Sequence, residues 1–260
     1  MALPDDQSTW DDYDIVLATS RGTIRRNSLS VFANINSKGK IAMKLENEKL
    51  IAVALCKAGM DILISTKLGK SVRFPVDSLR VFSSRNSVGV RAIKLLGDDE
   101  VISMAVLNNG TSSVEERDEY LRYSSWLRRT GEELDLNQQM DPPAKYEEMK
   151  GVEQILMTIT EKGYAKRTSS FEYRTMSRGA QGVKNLDMSS KNGKVIAVFP
   201  VNEEDDVMLI TDGGKLIRCP VSGVRITGRA TQGVIFFKVG KDEKVVSAVR
   251  LIENSKIEEK

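Results

Sequence analysis

Short apolar runs alternate with turn residues along this chain, in a pattern that occurs four times. Each unit opens on an apolar, β-rich run that ends in threonine: 15–19, 62–66, 156–160 and 207–211. Such runs, bounded by turn residues, predict buried strands. Gly22, Gly69, Gly163 and Gly214 follow, each closing a tight hairpin, and each return strand carries an arginine four residues beyond its glycine: Arg26, Arg73, Arg167 and Arg218. A second glycine comes 17 to 20 residues after the first (Gly39, Gly89, Gly182, Gly233) and opens a further strand. A last apolar run, 50–55, 101–106, 195–199 or 245–249, closes each unit.

The spacing sets the architecture. Gly22 and Gly69 lie 47 residues apart, and Gly163 and Gly214 lie 51 apart. Both suit a four-stranded blade of about 40–50 residues, so the pattern predicts an all-β array of blades. Gly69 and Gly163 are separated by 94 residues, and 108–153 show neither strand alternation nor the Gly…Arg signature. The expected division is an acidic lead-in over 1–14, blades over 15–60, 61–107, 154–203 and 204–254, an acidic insert over 108–153, and a tail over 255–260. Within the insert, 114–130 predicts a helix with Arg128 and Arg129 in its last turn, where the helix dipole favours them. Residues 131–150, with Pro142-Pro143, read as an acidic loop. The insert is either a solvated decoration or a regulatory element that competes for the basic surface of the blades.

Charge changes the picture more than composition does. The chain is 40% hydrophobic and 29% charged, ordinary for a globular protein, and its net charge is only +3. The distribution is uneven. Residues 1–14 and 108–153 each carry −5, whereas 15–107 carry +8 and 154–255 carry +5. Basic repeats between acidic segments point to a polyanion, and a duplex curving past evenly spaced cations fits that geometry. Aromatic residues are 6% of the chain, too few for a base-stacking platform. The candidate DNA-binding residues are Arg25, Arg26, Lys38, Lys40, Lys70, Arg73, Arg80, Arg85, Arg91, Lys166, Arg167, Arg174, Arg178, Lys184, Lys215, Arg218, Arg225 and Arg229. The arginines four residues past the first glycine have a second reading, as groups that bind carbonyls of the next blade. A protein-binding propeller face is the alternative to DNA.

Catalysis by this chain is not expected. It has no histidine, the commonest general base, and its two cysteines, Cys56 and Cys219, fall in unlike places and read as small buried hydrophobes. The full G-x-x-x-x-G-K-[ST] phosphate loop is not matched, and without histidine the two scattered cysteines cannot build a Cys/His metal site, so no cofactor and no metal site is expected. No apolar run is long enough for a membrane span. The acidic start lacks the features of a signal peptide, so a cytoplasmic location is expected. Ala2-Leu3-Pro4 before an acidic linker parallels Phe199-Pro200-Val201, so the chain reads as beginning at the tail of an earlier repeat.

Three stretches carry a family resemblance: Ile210-Thr211-Asp212-Gly213-Gly214-Lys215-Leu216-Ile217-Arg218, Gly228-Arg229-Ala230-Thr231-Gln232-Gly233-Val234-Ile235, and Gly163-Tyr164-Ala165-Lys166-Arg167-Thr168. Together with their counterparts in register, they resemble the C-terminal domain of bacterial DNA gyrase A over most of 15–253 outside the insert. The resemblance implies a β-pinwheel, a propeller-like disc whose blades exchange strands. It also implies a basic rim that wraps double-stranded DNA for a type II topoisomerase. The implied partners are the rest of gyrase A and gyrase B, at the bacterial nucleoid and away from membranes. The related subunit of topoisomerase IV is the nearest alternative. The family usually has about six blades, within the range typical of propellers, and a basic glycine-rich box. Here four units are present, that box is missing with Ser37-Lys38-Gly39-Lys40 only a weak echo in the corresponding loop, and the strand-breaking tyrosine region has no counterpart.

Overall fold

Each threonine that ends an opening strand also builds the turn behind it. In this computed structural model, which describes residues 3–34, 38–109, 112–130 and 144–252, the Thr19, Thr66, Thr160 and Thr211 hydroxyls accept the amides of Thr23, Lys70, Tyr164 and Lys215 at 3.1–3.2 Å. Their carbonyls accept the amides of Gly22, Gly69, Gly163 and Gly214. Those glycines hold φ between 73° and 79°, the left-handed region that other residues enter at a cost. Threonine and glycine together therefore fix four equivalent hairpins.

The first blade contains β1 (Asp14–Thr19), β2 (Thr23–Ser28) and β3 (Leu50–Cys56). The second has β4 (Asp61–Thr66), β5 (Lys70–Pro75), the two-residue β6 (Val90–Arg91) and β7 (Val101–Leu107). The third has β8 (Ile155–Thr160), β9 (Tyr164–Ser169), β10 (Val183–Lys184) and β11 (Val195–Val201). The fourth has β12 (Asp206–Thr211), β13 (Leu216–Pro220), β14 (Val234–Ile235) and β15 (Val245–Leu251). The short strands do not stay in their own blades. β6 pairs with β2, β10 with β5 and β14 with β9, so each of the first three sheets is completed by the blade that follows it. The fourth sheet has three strands, in the order β13-β12-β15.

The core lies between the blades. Val16, Ile62, Val72 and Ile93 fill the first junction, Leu63, Leu107, Leu156 and Val198 the second, and Met157, Val207, Leu209 and Val245 the third. β3 packs on β7, β7 on β11 and β11 on β15, which puts these strands at the common centre and the exchanged strands at the periphery. Trp10, in a 3-10 turn over Gln7–Asp12, is buried against Leu17 and Leu29 of the first blade.

Three expectations change. No strand follows Gly39, unlike Gly89, Gly182 and Gly233. The predicted helix is present as α1 (Val114–Thr130), but Ala144–Val152 forms a second helix, α2, where an acidic loop was expected. Met149 of α2 and Tyr120 of α1 bury against Phe171, and that apolar seat organises the segment. The expected loop over 131–143 lies outside the described residues. Cys219 is half-buried, whereas Cys56 is buried as expected, and neither is in a disulfide.

Candidate nucleic-acid interface

The recurrent arginines four residues past the first glycine lie inside the structure. Arg26, Arg73 and Arg167 are 7%, 4% and 5% exposed. Arg26 donates to Asp14 of its own blade at 2.7 Å and reaches into the next blade, to the carbonyls of Val76 at 3.0 Å and Leu79 at 3.3 Å. Arg73 bonds Asp61 at 2.7 Å and the Ser170 carbonyl at 2.9 Å. Arg167 lacks an acidic partner at the matching place, which is Ile155, and uses Glu203 together with the Val224 carbonyl. Arg218 pairs with Asp206 but stays exposed. The carbonyl-binding reading therefore holds for Arg26, Arg73 and Arg167, and they are corrected from rim contacts to inter-blade latches. The 12-residue Asp…Arg interval, in Asp14/Arg26, Asp61/Arg73 and Asp206/Arg218, signals the ion pair but not the burial, since exposed Arg218 has it and buried Arg167 does not.

Two further candidates move inward. Arg25 is fully buried, bonded to Asn27 at 2.7 Å and to the Ser87 hydroxyl at 2.7 Å, with its guanidinium 4.8 Å from the Phe82 ring. Lys166, at the same station of the third blade, is 1% exposed and donates to the carbonyls of Gly228 and Arg229. Burial pushes its pKa down to about 7. Both stitch the loop of the following blade to the sheet, and neither faces outward.

The cations that do face outward recur at another offset. Arg80, Arg174 and Arg225 each lie eleven residues past the first glycine of their blade, and all three are exposed. Among the described residues none has a carboxylate within salt-bridge distance. The latches set their positions, since Arg26 holds Leu79, one residue before Arg80, and Arg167 holds Val224, one residue before Arg225. The exchanged strands add Arg91 and Lys184 at the periphery, both exposed. Arg178 and Arg229, half-buried, donate to the carbonyls of Arg91 and Lys184 respectively and brace these edges. Lys70 and Lys184 are direct cross-strand partners on one outer edge, where the Lys184 ammonium also pairs with Asp187 at 2.9 Å.

The remaining candidates are more dispersed. Lys38 is exposed and Lys40 half-buried in the first-blade loop, and Arg85 is half-buried. Lys215 is exposed but held by Glu243 at 2.7 Å, and the Lys215 and Thr211 hydrogen bonds keep the Glu243 carboxyl down at about 2. Sequence reasoning assigned Arg128 and Arg129 only to a helix end. They line a cleft of about 690 Å³ that also includes Arg225 and Glu203, between α1 and the junction of the third and fourth blades.

Sheets that pass a strand to the preceding blade, around a common centre and with cations at the periphery, define a β-pinwheel, a variant of the β-propeller. The chain belongs to the family described as the DNA gyrase C-terminal domain, beta-propeller, whose sequence model matches residues 13–57, 61–108, 154–202 and 205–251. The DNA gyrase A protein of Rickettsia prowazekii (strain Madrid E) is 47% identical over 269 residues, a match that covers 100% of this chain and 29% of that protein. The chain thus spans less than a third of the length of such relatives. A solved DNA gyrase A C-terminal domain aligns with a TM-score of 0.69 at 19% identity, over 97% of this chain and 73% of its own. The C-terminal domain of DNA topoisomerase IV aligns with a TM-score of 0.72 at 13% identity, over 95% of this chain and 64% of its own. Both are similar in fold.

Proposed function

We propose that this chain binds double-stranded DNA along its periphery and bends it, as the DNA-wrapping C-terminal domain of a DNA gyrase A protein. One observation carries the reading: Arg80, Arg174 and Arg225 occupy the same station in successive blades, exposed and free of acidic partners among the described residues. Lys70, Arg91 and Lys184 extend that positive surface along the exchanged edges. The contacts go to phosphate and are indifferent to sequence. Bending about 20–30 bp by 40–90° costs on the order of 1–6 kcal/mol, so many modest contacts act together. The domain performs no chemistry itself. It presents DNA to the rest of gyrase A and to gyrase B, which cleave and reseal the strands, in the cytoplasm at the nucleoid.

The test is a salt titration of affinity for a mixed-sequence duplex. Log K falls linearly with log salt, and the triple variant Arg80→Ala, Arg174→Ala, Arg225→Ala shallows the slope by about 0.9 for each phosphate no longer neutralised. A flat plot for the parent protein, or an unchanged slope in the variant, rejects the reading.

A further inference from the structure

The helical segment between the second and third blades carries its charges unevenly. The first half of α1 holds Glu115, Glu116, Asp118 and Glu119, and its last turn holds Arg128 and Arg129. Glu115, Asp118 and Glu119 border a surface hollow with Arg122, whereas Arg128 and Arg129 line the cleft against the third and fourth blades. A segment that is acidic in sum thus turns its basic end towards the blades. That end is held in place. Tyr120 packs on Phe171 of the third blade, and Glu153, one residue past α2, accepts from the Tyr120 hydroxyl at 2.9 Å and from the Arg128 guanidinium at 3.0 Å.

On the blade side of the cleft, Arg167 is occupied by Glu203 and by the Val224 carbonyl, which sets the place of Arg225. Two cations remain unpaired among the described residues, one on each wall: Arg129 of α1 and Arg225 of the fourth blade. Both are exposed, and neither has a described carboxylate within salt-bridge distance. Four guanidinium groups thus border one cleft against two carboxylates, Glu172 and Glu203, and Glu172 in part answers the buried Lys166. Like charges gathered on fixed walls repel one another, and an anion seated between them relieves the repulsion.

We infer, resting on the DNA-binding function proposed above, that this cleft takes the sugar-phosphate backbone of the same duplex, so that the helical segment is an added grip on DNA rather than a competitor for it. Arg225 belongs to the row of outward cations eleven residues past the first glycine, so a duplex that follows Arg80, Arg174 and Arg225 arrives at the mouth of the cleft. Guanidinium forks match pairs of phosphate oxygens, which suits Arg129 and Arg225 to a phosphodiester. Arg129 then supplies a contact that the blade pattern does not contain.

Fluorescence anisotropy of the 260-residue chain on mixed-sequence duplexes, over a salt series, tests this. Arg129→Ala weakens binding alike across sequences and shallows the slope of log K against log salt by about 0.9. Arg129→Glu weakens binding further, and melting is unchanged in both because the side chain is exposed. Arg122→Ala removes an equal charge from the same helix outside the cleft and binds as the parent does. An Arg129→Ala protein with parental affinity, the outcome if the cleft receives an acidic peptide, overturns the inference. So does one that binds DNA more tightly, the mark of a competitor, and so does a loss in Arg122→Ala equal to that in Arg129→Ala, which would reduce the effect to net charge. In each of these cases the parent binds DNA. A parent chain with no affinity for any duplex at low salt overturns the function proposed above, and this inference with it.

Discussion

Arg26 donates to the carbonyl of Leu79 at 3.3 Å, across the boundary between the first and second blades. The next residue, Arg80, is exposed at the periphery. A buried cation in one blade thus fixes the station of an outward-facing cation in the next, and Arg167, Val224 and Arg225 repeat the relationship. Two sets of arginines that look alike along the chain divide the labour, one holding blades together and the other facing solvent.

That division separates two mutations of the same kind. Asp61 is fully buried beneath Arg73, so Arg73→Ala strands a buried carboxylate and costs about 3–5 kcal/mol. The Arg218 side chain is 63% exposed, and Arg218→Ala costs about 0–1 kcal/mol. Urea unfolding of the two variants measures the difference. Equal losses would show that Arg73 is no latch.

Stability and DNA affinity move in opposite directions at the Lys70–Lys184 edge. Like charges directly opposite each other destabilise a sheet, so Lys70→Glu creates an attractive cross-strand pair worth about 0.2–1 kcal/mol. The same change reverses one charge of the basic edge and weakens duplex binding. A calorimetric melt paired with an anisotropy titration reads both, and an affinity that does not fall removes this edge from the interface.

Lys166 makes stability depend on pH. Its pKa is lowered from 10.5 to about 7 in the folded chain by burial. Between these values the unfolded state holds a proton that the folded state has shed, so this group's contribution rises with pH across the window and is flat below and above it. The second blade carries Val72 at the same station, fully buried. Lys166→Met is therefore stabilising below pH 7, and its advantage shrinks as pH climbs towards 10.5. Denaturant midpoints at several pH values test the trend, and a variant that parallels the parent throughout contradicts it.

The helical insert is separable from the blades. Asn108 donates its amide to the Gln154 side chain at 2.6 Å, so the two ends of the insert lie side by side and a short linker spans them. Removing 110–150 uncovers Phe171, which Tyr120 packs against edge-on with ring centroids 5.4 Å apart. The shortened chain folds cooperatively with a loss of about 1.5–3 kcal/mol, the worth of burying one large apolar side chain. An insoluble product would show that the helices cover far more than this residue.

The blade count, the hairpins and α1 were legible in the sequence because each rests on local chemistry: a threonine and glycine three residues apart, a strand's worth of apolar residues, a helix bounded by acids and bases. Strand exchange came only with the family resemblance, because Val90 by itself reads the same whether it pairs with Ile24 of the first blade or with its own hairpin. The latches stayed one of two readings for a related reason. A recurring arginine signals equivalent surroundings without saying whether these are solvent or the neighbouring sheet, and the residue twelve positions upstream does not decide it, since exposed Arg218 has Asp206 there and buried Arg167 has Ile155. The second helix was hidden by its short length and by a single buried anchor, Met149.

Exchange of strands runs in one direction only. Val90 completes the sheet begun at Asp14, Val183 the one begun at Asp61, and Val234 the one begun at Ile155. As the polypeptide leaves the ribosome, each sheet therefore waits for its last member until most of the succeeding unit has been synthesised. Between the second and third units, that wait includes translation of the entire helical segment, so the β4–β5 hairpin spends longest with a bare margin while the nascent chain grows.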